Sequence, residues 1–268
     1  MPRFNRILLT GAAGRLGTEL RRGLKPLART VVLGDRVACA DVEPHEELAV
    51  FELADMEATM AAVEGCDAIV HFGGAPNEKP WQEVLDSTIR GSYHIYEGAR
   101  KHGVPRVIYA SSVHAIGFHK VEDHIGLDAP YRPDGLYGVS KCFVESLSRL
   151  YWDKFGIETA CLRIFSSQEE PKDRRMMWSL LTYDDCIRLV EAALTAPRVA
   201  HSIVFGTSDN RLKPFDNSLA GHLGFHPQDS TEPYREKIEA AHPVLDPKEA
   251  QATYLGGWFC DLPHPDDK

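Results

Sequence analysis

Through the first 165 residues, short unbroken apolar runs alternate with longer amphipathic stretches. Residues 6–10, 30–33, 49–53, 68–72, 106–111 and 159–164 predict strands. Residues 16–27, 56–63, 81–102 and 135–155 predict helices, the first with Leu16, Leu20, Leu24 and Leu27 on one face. Strands that are apolar throughout, rather than alternating, imply a sheet covered on both faces. Strand–helix alternation then gives an α/β fold with a doubly wound parallel sheet. Past Phe165 the rhythm breaks, and residues 166–178 are polar and charged without a period. Residues 183–194 predict a helix started by Thr182, with Asp185 three residues on in a variant of the capping box. Residues 202–205 predict a strand, and weak helices follow near Ser218 and Glu232. The expectation is a single domain, with a core over residues 1–165 and a small dependent substrate lobe over 166–268.

Composition narrows the function classes. The chain has 268 residues and a net charge of −9, with no basic run. Phosphate backbones need clustered Lys and Arg, so a nucleic-acid partner is not expected. The apolar run behind Arg3 and Arg6 is too short for a signal peptide, and no stretch approaches the ~20 apolar residues of a membrane span. Six scattered cysteines without a C-x-x-C pair suggest neither a metal site nor a disulfide framework. Reduced thiols fit a cytoplasmic protein.

Two constellations carry chemistry. Gly11, Gly14 and Gly17 follow the first strand and open the first helix. There, glycines allow a tight turn and close approach of backbone to a pyrophosphate, which the helix N-terminus attracts. Asp35 lies 18 residues after Gly17, at the end of the second strand. Its carboxylate can accept from an adenosine ribose and repels a 2′-phosphate, favouring NAD over NADP. Arg36 is the counter-signal, being the residue type that would hold that phosphate. Further on, Tyr137 and Lys141 stand one helical turn apart, and Ser112 ends the fifth strand. An ammonium beside a tyrosine favours phenolate. Together with an oxidised nicotinamide it could bring the hydroxyl from ~10 towards ~7, which requires about 4 kcal/mol. Ser112 can hold the reacting substrate oxygen near Tyr137.

At these residues the chain resembles the extended branch of the short-chain dehydrogenase/reductase superfamily, over roughly residues 6–165. That resemblance implies a Rossmann fold with its cleft at the carboxyl ends of the strands. Several stretches are also similar to NAD-dependent uronate dehydrogenases: 111–118 (SSVHAIGF), 132–143 (RPDGLYGVSKCF), 170–176 (EPKDRRM) and 215–217 (FDN). The resemblance implies oxidation of C1 of glucuronate or galacturonate to an aldarolactone, with Tyr137 as base. It implies that Arg15 and Leu16 line the pyrophosphate, Glu52 and Leu53 the adenine, and Phe72, Gly73 and Gly74 the cofactor wall. Ser167 would lie by the nicotinamide, and Lys141 would also hold its ribose. Arg175 would take the substrate carboxylate, with Ser166, Val113 and His114 near the sugar. For His114 the competing reading is a histidine packed at the strand end. Pro76, Val113 and Thr88 depart from the pattern, where serine, Asn and Asn are usual. A nucleotide-sugar epimerase or reductase and a non-catalytic NAD-sensing regulator are the alternatives. The resemblance also suggests a homo-oligomer, for which outward faces at Leu147, Leu150 and Tyr151 are candidates.

Overall fold

A computed structural model describes residues 2–267. Its strands are β1 (Phe4–Thr10), β2 (Ala28–Asp35), β3 (Glu46–Val50), β4 (Ala68–His71), β5 (Arg106–Ser112), β6 (Glu158–Ile164), β7 (Ser166–Ser167), β8 (Leu180–Leu181) and β9 (His201–Gly206). The helices are α1 (Arg15–Leu24), α2 (Met56–Val63), α3 (Trp81–Val84), α4 (Gly91–His102), α5 (Leu136–Phe155), α6 (Met176–Ser179), α7 (Tyr183–Thr195), α8 (Arg235–Ala241) and α9 (Ala250–Thr253). Seven strands form one parallel sheet in the order β3-β2-β1-β4-β5-β6-β9. The chain runs outward from β1 in one direction and resumes at β4 in the other. This doubly wound arrangement is a Rossmann fold, and the reversal leaves a crevice between the carboxyl ends of β1 and β4.

The apolar runs form strands because both faces of the sheet are covered. Ile7 and Leu9 face one buried cluster and Leu8 the other. That logic fails at β3, which is an edge strand. Leu48 and Val50 are exposed there, and the strand begins at Glu46 rather than residue 49. Phe51 to Leu53 leave the sheet and turn over the crevice. The first helix stops at Leu24, short of Leu27, which closes a turn into β2. The long helix expected over 81–102 is interrupted by a π-helical turn, Leu85–Arg90, between α3 and α4.

The largest difference lies after Phe165. Helix α7 packs on α1 where Gly23 meets Ile187, and β9 is the seventh strand of the sheet. The sheet therefore extends beyond residue 165, and the segments over the cleft are those around 166–181 and 250–261. Thr182 caps α7 by accepting from Asp185 N at 3.1 Å. The reciprocal half of the capping box is absent. The Asp185 carboxylate accepts instead from Gln228 N, Asp229 N and Arg188. Near Ser218 and Glu232 the chain forms short 3-10 turns, the second running into α8. No helix among the described residues is long and apolar enough to cross a membrane.

Candidate active site

The crevice at the β1/β4 reversal holds two joined compartments, of about 370 and 420 Å³. The first is built by the turn after β1. Gly11 has φ +71, and a side chain there would run into the backbone of Phe72 and Gly73. A Cβ at Gly17 would lie 2.0 Å from the Gly11 carbonyl oxygen. The turn thus closes only without side chains, and Gly14 caps α1 with its N-terminus open to the cleft. The Asp35 carboxylate accepts from Ala13 N at 3.0 Å, fixing the acid beside that turn. Arg36, Glu52, Leu53, Phe72, Gly73 and Gly74 complete this compartment. A helix N-terminus, a glycine turn and an adjacent acid fit a dinucleotide with an unphosphorylated 2′-hydroxyl.

The floor is polar and closed. Thr10 Oγ1 accepts from Gly73 N and meets His71 Nδ1 at 2.7 Å, while His71 Nε2 meets Ser92 Oγ at 3.0 Å. Burial, reinforced by the Lys141 charge, pushes His71 down to about 3, so it is neutral. Thr88, where the superfamily pattern has Asn, sits in the π-helical turn and accepts from Ala75 N at 2.9 Å. It buttresses the loop that walls the cofactor compartment.

The second compartment is lined by Arg15, Leu16, Ser112, Val113, His114, Tyr137, Lys141, Ser166, Ser167 and Arg175. The structure therefore places every site residue expected from the sequence on one continuous cleft. Tyr137 enters from the first turn of α5, whose leading N–H groups need acceptors. Glu78 supplies them, accepting from Leu136 N at 2.8 Å and Tyr137 N at 2.9 Å. Lys141 Nζ donates to the Ala110 carbonyl at 2.8 Å and lies 5.1 Å from the Tyr137 ring centroid. Behind it, Glu145 and Arg163 form a fully buried bidentate pair, and Ser111 Oγ donates to the same carboxylate.

The protein's own groups set the electrostatics at Tyr137 and Lys141. Burial pushes the Tyr137 hydroxyl up to about 12, only partly offset by a hydrogen bond with Ser112. Burial likewise brings Lys141 down to about 7, although Glu145 opposes this. Desolvation disfavours both charged forms, and at Tyr137 it outweighs the Ser112 hydrogen bond, with the Asp134 charge adding to the upward push.

Arg175 is buried at the wall of the second compartment. Nη1 donates to Ser166 Oγ at 2.9 Å, Nη2 donates to the Leu255 carbonyl, and Nε is buried without a partner. No carboxylate lies within ion-pair distance of it among the described residues, and burial lowers it to about 10 against the opposing charges of Asp173 and Asp134. Its neighbour Arg174 turns away, donating to the His242 and Glu239 carbonyls. Ser167 lines the cleft, but its hydroxyl donates to the Leu181 carbonyl. In 215–217, the family-like residues are structural: Asn217 exchanges two hydrogen bonds with the Phe205 backbone, and Phe215 stacks on Phe165 at 4.8 Å.

Several cleft residues carry no signal in the sequence. Trp258 and Phe259 reach the second compartment from the 3-10 turn Gly257–Asp261, with Gly256 just before it. Just outside these linings stand two loop acids, Glu78 and Asp134; Asp134 falls in the 132–143 stretch, but only the tertiary partners of the two acids reveal what they do.

The NAD dependent epimerase/dehydratase family matches residues 7–176. A uronate dehydrogenase of Pseudomonas putida is 47% identical over 257 residues, covering 96% of each chain. A glucuronic acid dehydrogenase structure from Chromohalobacter salexigens superposes with a TM-score of 0.97 at 44% identity, covering 99% of this chain and 100% of that one. A tyrosine-to-alanine mutant of the Agrobacterium tumefaciens uronate dehydrogenase, complexed with NAD, has a TM-score of 0.94 at 45% identity, covering 97% and 98%. The likeness spans the segments over the cleft as well as the sheet. The chain belongs to the NAD dependent epimerase/dehydratase family and, within it, to the uronate dehydrogenases.

Proposed function

We propose that this chain oxidises C1 of a hexuronate, D-glucuronate or D-galacturonate, to the aldarolactone with NAD as acceptor. The observation that carries this reading is Arg175: a buried guanidinium with no carboxylate in direct ion-pair contact among the described residues, in the same compartment as Ser112, Tyr137 and Lys141. Such a cation is costly in the free protein and suited to a substrate bearing a permanent carboxylate. Gly11, Gly14, Gly17 and Asp35 would hold the dinucleotide, the N-terminus of α1 offering its N–H groups to the pyrophosphate. When bound, NAD supplies a positive nicotinamide charge that favours phenolate and accepts the hydride from C1. Ser112 positions the anomeric oxygen, and Tyr137 takes its proton as general base. Lys141 supports the phenolate and reaches the nicotinamide ribose. Arg175, aided by Ser166, fixes the carboxylate and hence which carbon faces the nicotinamide.

The test is NADH absorbance with glucuronate, galacturonate, glucose and UDP-glucose, each with NAD and with NADP. Free uronates with NAD should give sustained turnover. No net NADH from a free uronate would support the alternatives: an epimerase keeps its cofactor bound and converts the nucleotide sugar without releasing NADH, and an NAD-sensing protein converts none of the sugars.

We also propose a cytoplasmic homo-oligomer. Val139, Phe143, Leu150 and Phe155 are exposed on α5 and support that reading. Tyr151, expected on the outer face, is instead buried and hydrogen-bonded to Glu97, and Leu147 packs on the core. The outward face is therefore narrower than the sequence suggests.

A further inference from the structure

The geometry points to Asp134 as a positioning residue that locks His114 with Nε2 turned into the cleft, as an acceptor for a sugar hydroxyl. This deepens the uronate reading and rests on it.

The Asp134 side chain is fully buried, and its Oδ2 lies 2.7 Å from His114 Nδ1. Two close backbones make its slot. A Cβ at Gly117 or Gly256 would fall 1.9 or 1.8 Å from the same oxygen, so the carboxylate cannot shift towards either. Asp134 N also donates to the His114 carbonyl, at 3.3 Å. The imidazole is clamped on its faces as well. Phe259 stacks on it at 3.9 Å, and Tyr137 meets it edge-on at 5.6 Å.

A carboxylate only accepts, so the proton of a neutral His114 must sit on Nδ1. Nε2 is then a bare acceptor, and among the described residues it has no protein partner while the ring lines the cleft. A pyranose presents a rim of hydroxyl donors to that wall. Its neighbours Val113 and Pro76 offer no side-chain hydrogen bond. Beside these two apolar neighbours, His114 offers a polar ring atom to the cleft, next to Ser112. The groups around the pair are Asp134 in the loop before α5, Tyr137 on α5, Cys260 in the last 3-10 turn, and Arg175 against Gly257. The Asp134 Oδ1 is buried and unpartnered, a cost that a merely structural acid would not need to carry.

The test combines two readouts. Histidine 15N NMR of the wild-type protein, with the His114 signals assigned by their loss in His114→Ala, should show a neutral Nδ1–H tautomer with Nε2 bare. Asp134→Ala should populate the Nε2–H tautomer. It should raise KM for glucuronate about tenfold, the scale of one substrate hydrogen bond, with NAD affinity within about twofold. In the His114→Ala background the same substitution should add less than about twofold, because the coupling is lost. A proton on Nε2 in the wild type, whether in the neutral tautomer or in an imidazolium, or an undiminished effect of Asp134→Ala without His114, overturns the proposal. Failure of the wild-type protein to oxidise uronates would instead overturn the activity reading, and the NMR would still decide where the proton sits.

Discussion

Arg175 makes a quantitative case for a site held ready for an anion. The residue is 8% exposed, its guanidinium has an orphaned Nε and no acid within ion-pair distance among the described residues, and it sits near 10 rather than 12.5. A cation lowered by about two and a half units carries ~3 kcal/mol of unfavourable interaction in the folded state. That penalty is present throughout the neutral range, where the residue is protonated whether folded or unfolded. Replacing it with Met keeps much of the side-chain volume and removes the charge. We expect Arg175→Met to be at least as stable as the wild type, and up to ~3 kcal/mol more stable, less what the bonds to Ser166 and Leu255 contribute. The same variant should lose uronate turnover. Hydrogen bonds to a charged partner are worth about 1.5–3 kcal/mol each, so losing a forked pair should cost about 10²- to 10⁴-fold in kcat/KM for glucuronate. Glucose, lacking the carboxylate, should change by no more than about threefold. The assays are urea unfolding and initial rates with both sugars. A clear destabilisation, or equal losses on both substrates, would refute the reasoning.

Tyr137→Phe should retain NAD binding by calorimetry while turnover falls by about 10²- to 10⁴-fold, the usual contribution of a positioned base. Asp35→Ser should lower the NAD:NADP ratio of kcat/KM at least about tenfold, since the 2′-phosphate would no longer meet a carboxylate. Glu145→Leu should destabilise the fold by about 3–5 kcal/mol in urea, because it strands Arg163, which is 1% exposed. Lys141 makes stability depend on pH with a definite sign. Its folded value of about 7 lies below the unfolded 10.5, so between these values the unfolded chain binds more protons and stability rises with pH. The rise between pH 7 and 9 should be ~2–3 kcal/mol, and Lys141→Met should flatten it.

The readable parts of this molecule are those set by local chemistry. The glycine turn after β1 and the Tyr137–Lys141 spacing on α5 are short-range constraints, visible in the residues themselves. Apolar runs locate the strands, but they do not say which strand lies at an edge, and β3 misleads for that reason. A single strand after a polar loop gives no hint that it returns to the main sheet, as β9 does. The wall formed by Phe259, the capping of α5 by Glu78 and the Asp134–His114 contact bring together residues 20 to 145 positions apart, so no local pattern records them. Glu145 and Arg163 read as ordinary charged residues, and only the fold reveals that each is the other's counter-ion in the core.

Hydride transfer from C1 is the central claim, and deuterium tests it directly. Glucuronate labelled with deuterium at C1 should be incubated with the enzyme and NAD, and both products followed by NMR. The deuterium should appear on the reduced nicotinamide in equal amount to the lactone formed, and the rate should fall when C–H cleavage limits turnover. Deuterium retained in the sugar product while NADH accumulates would contradict the account.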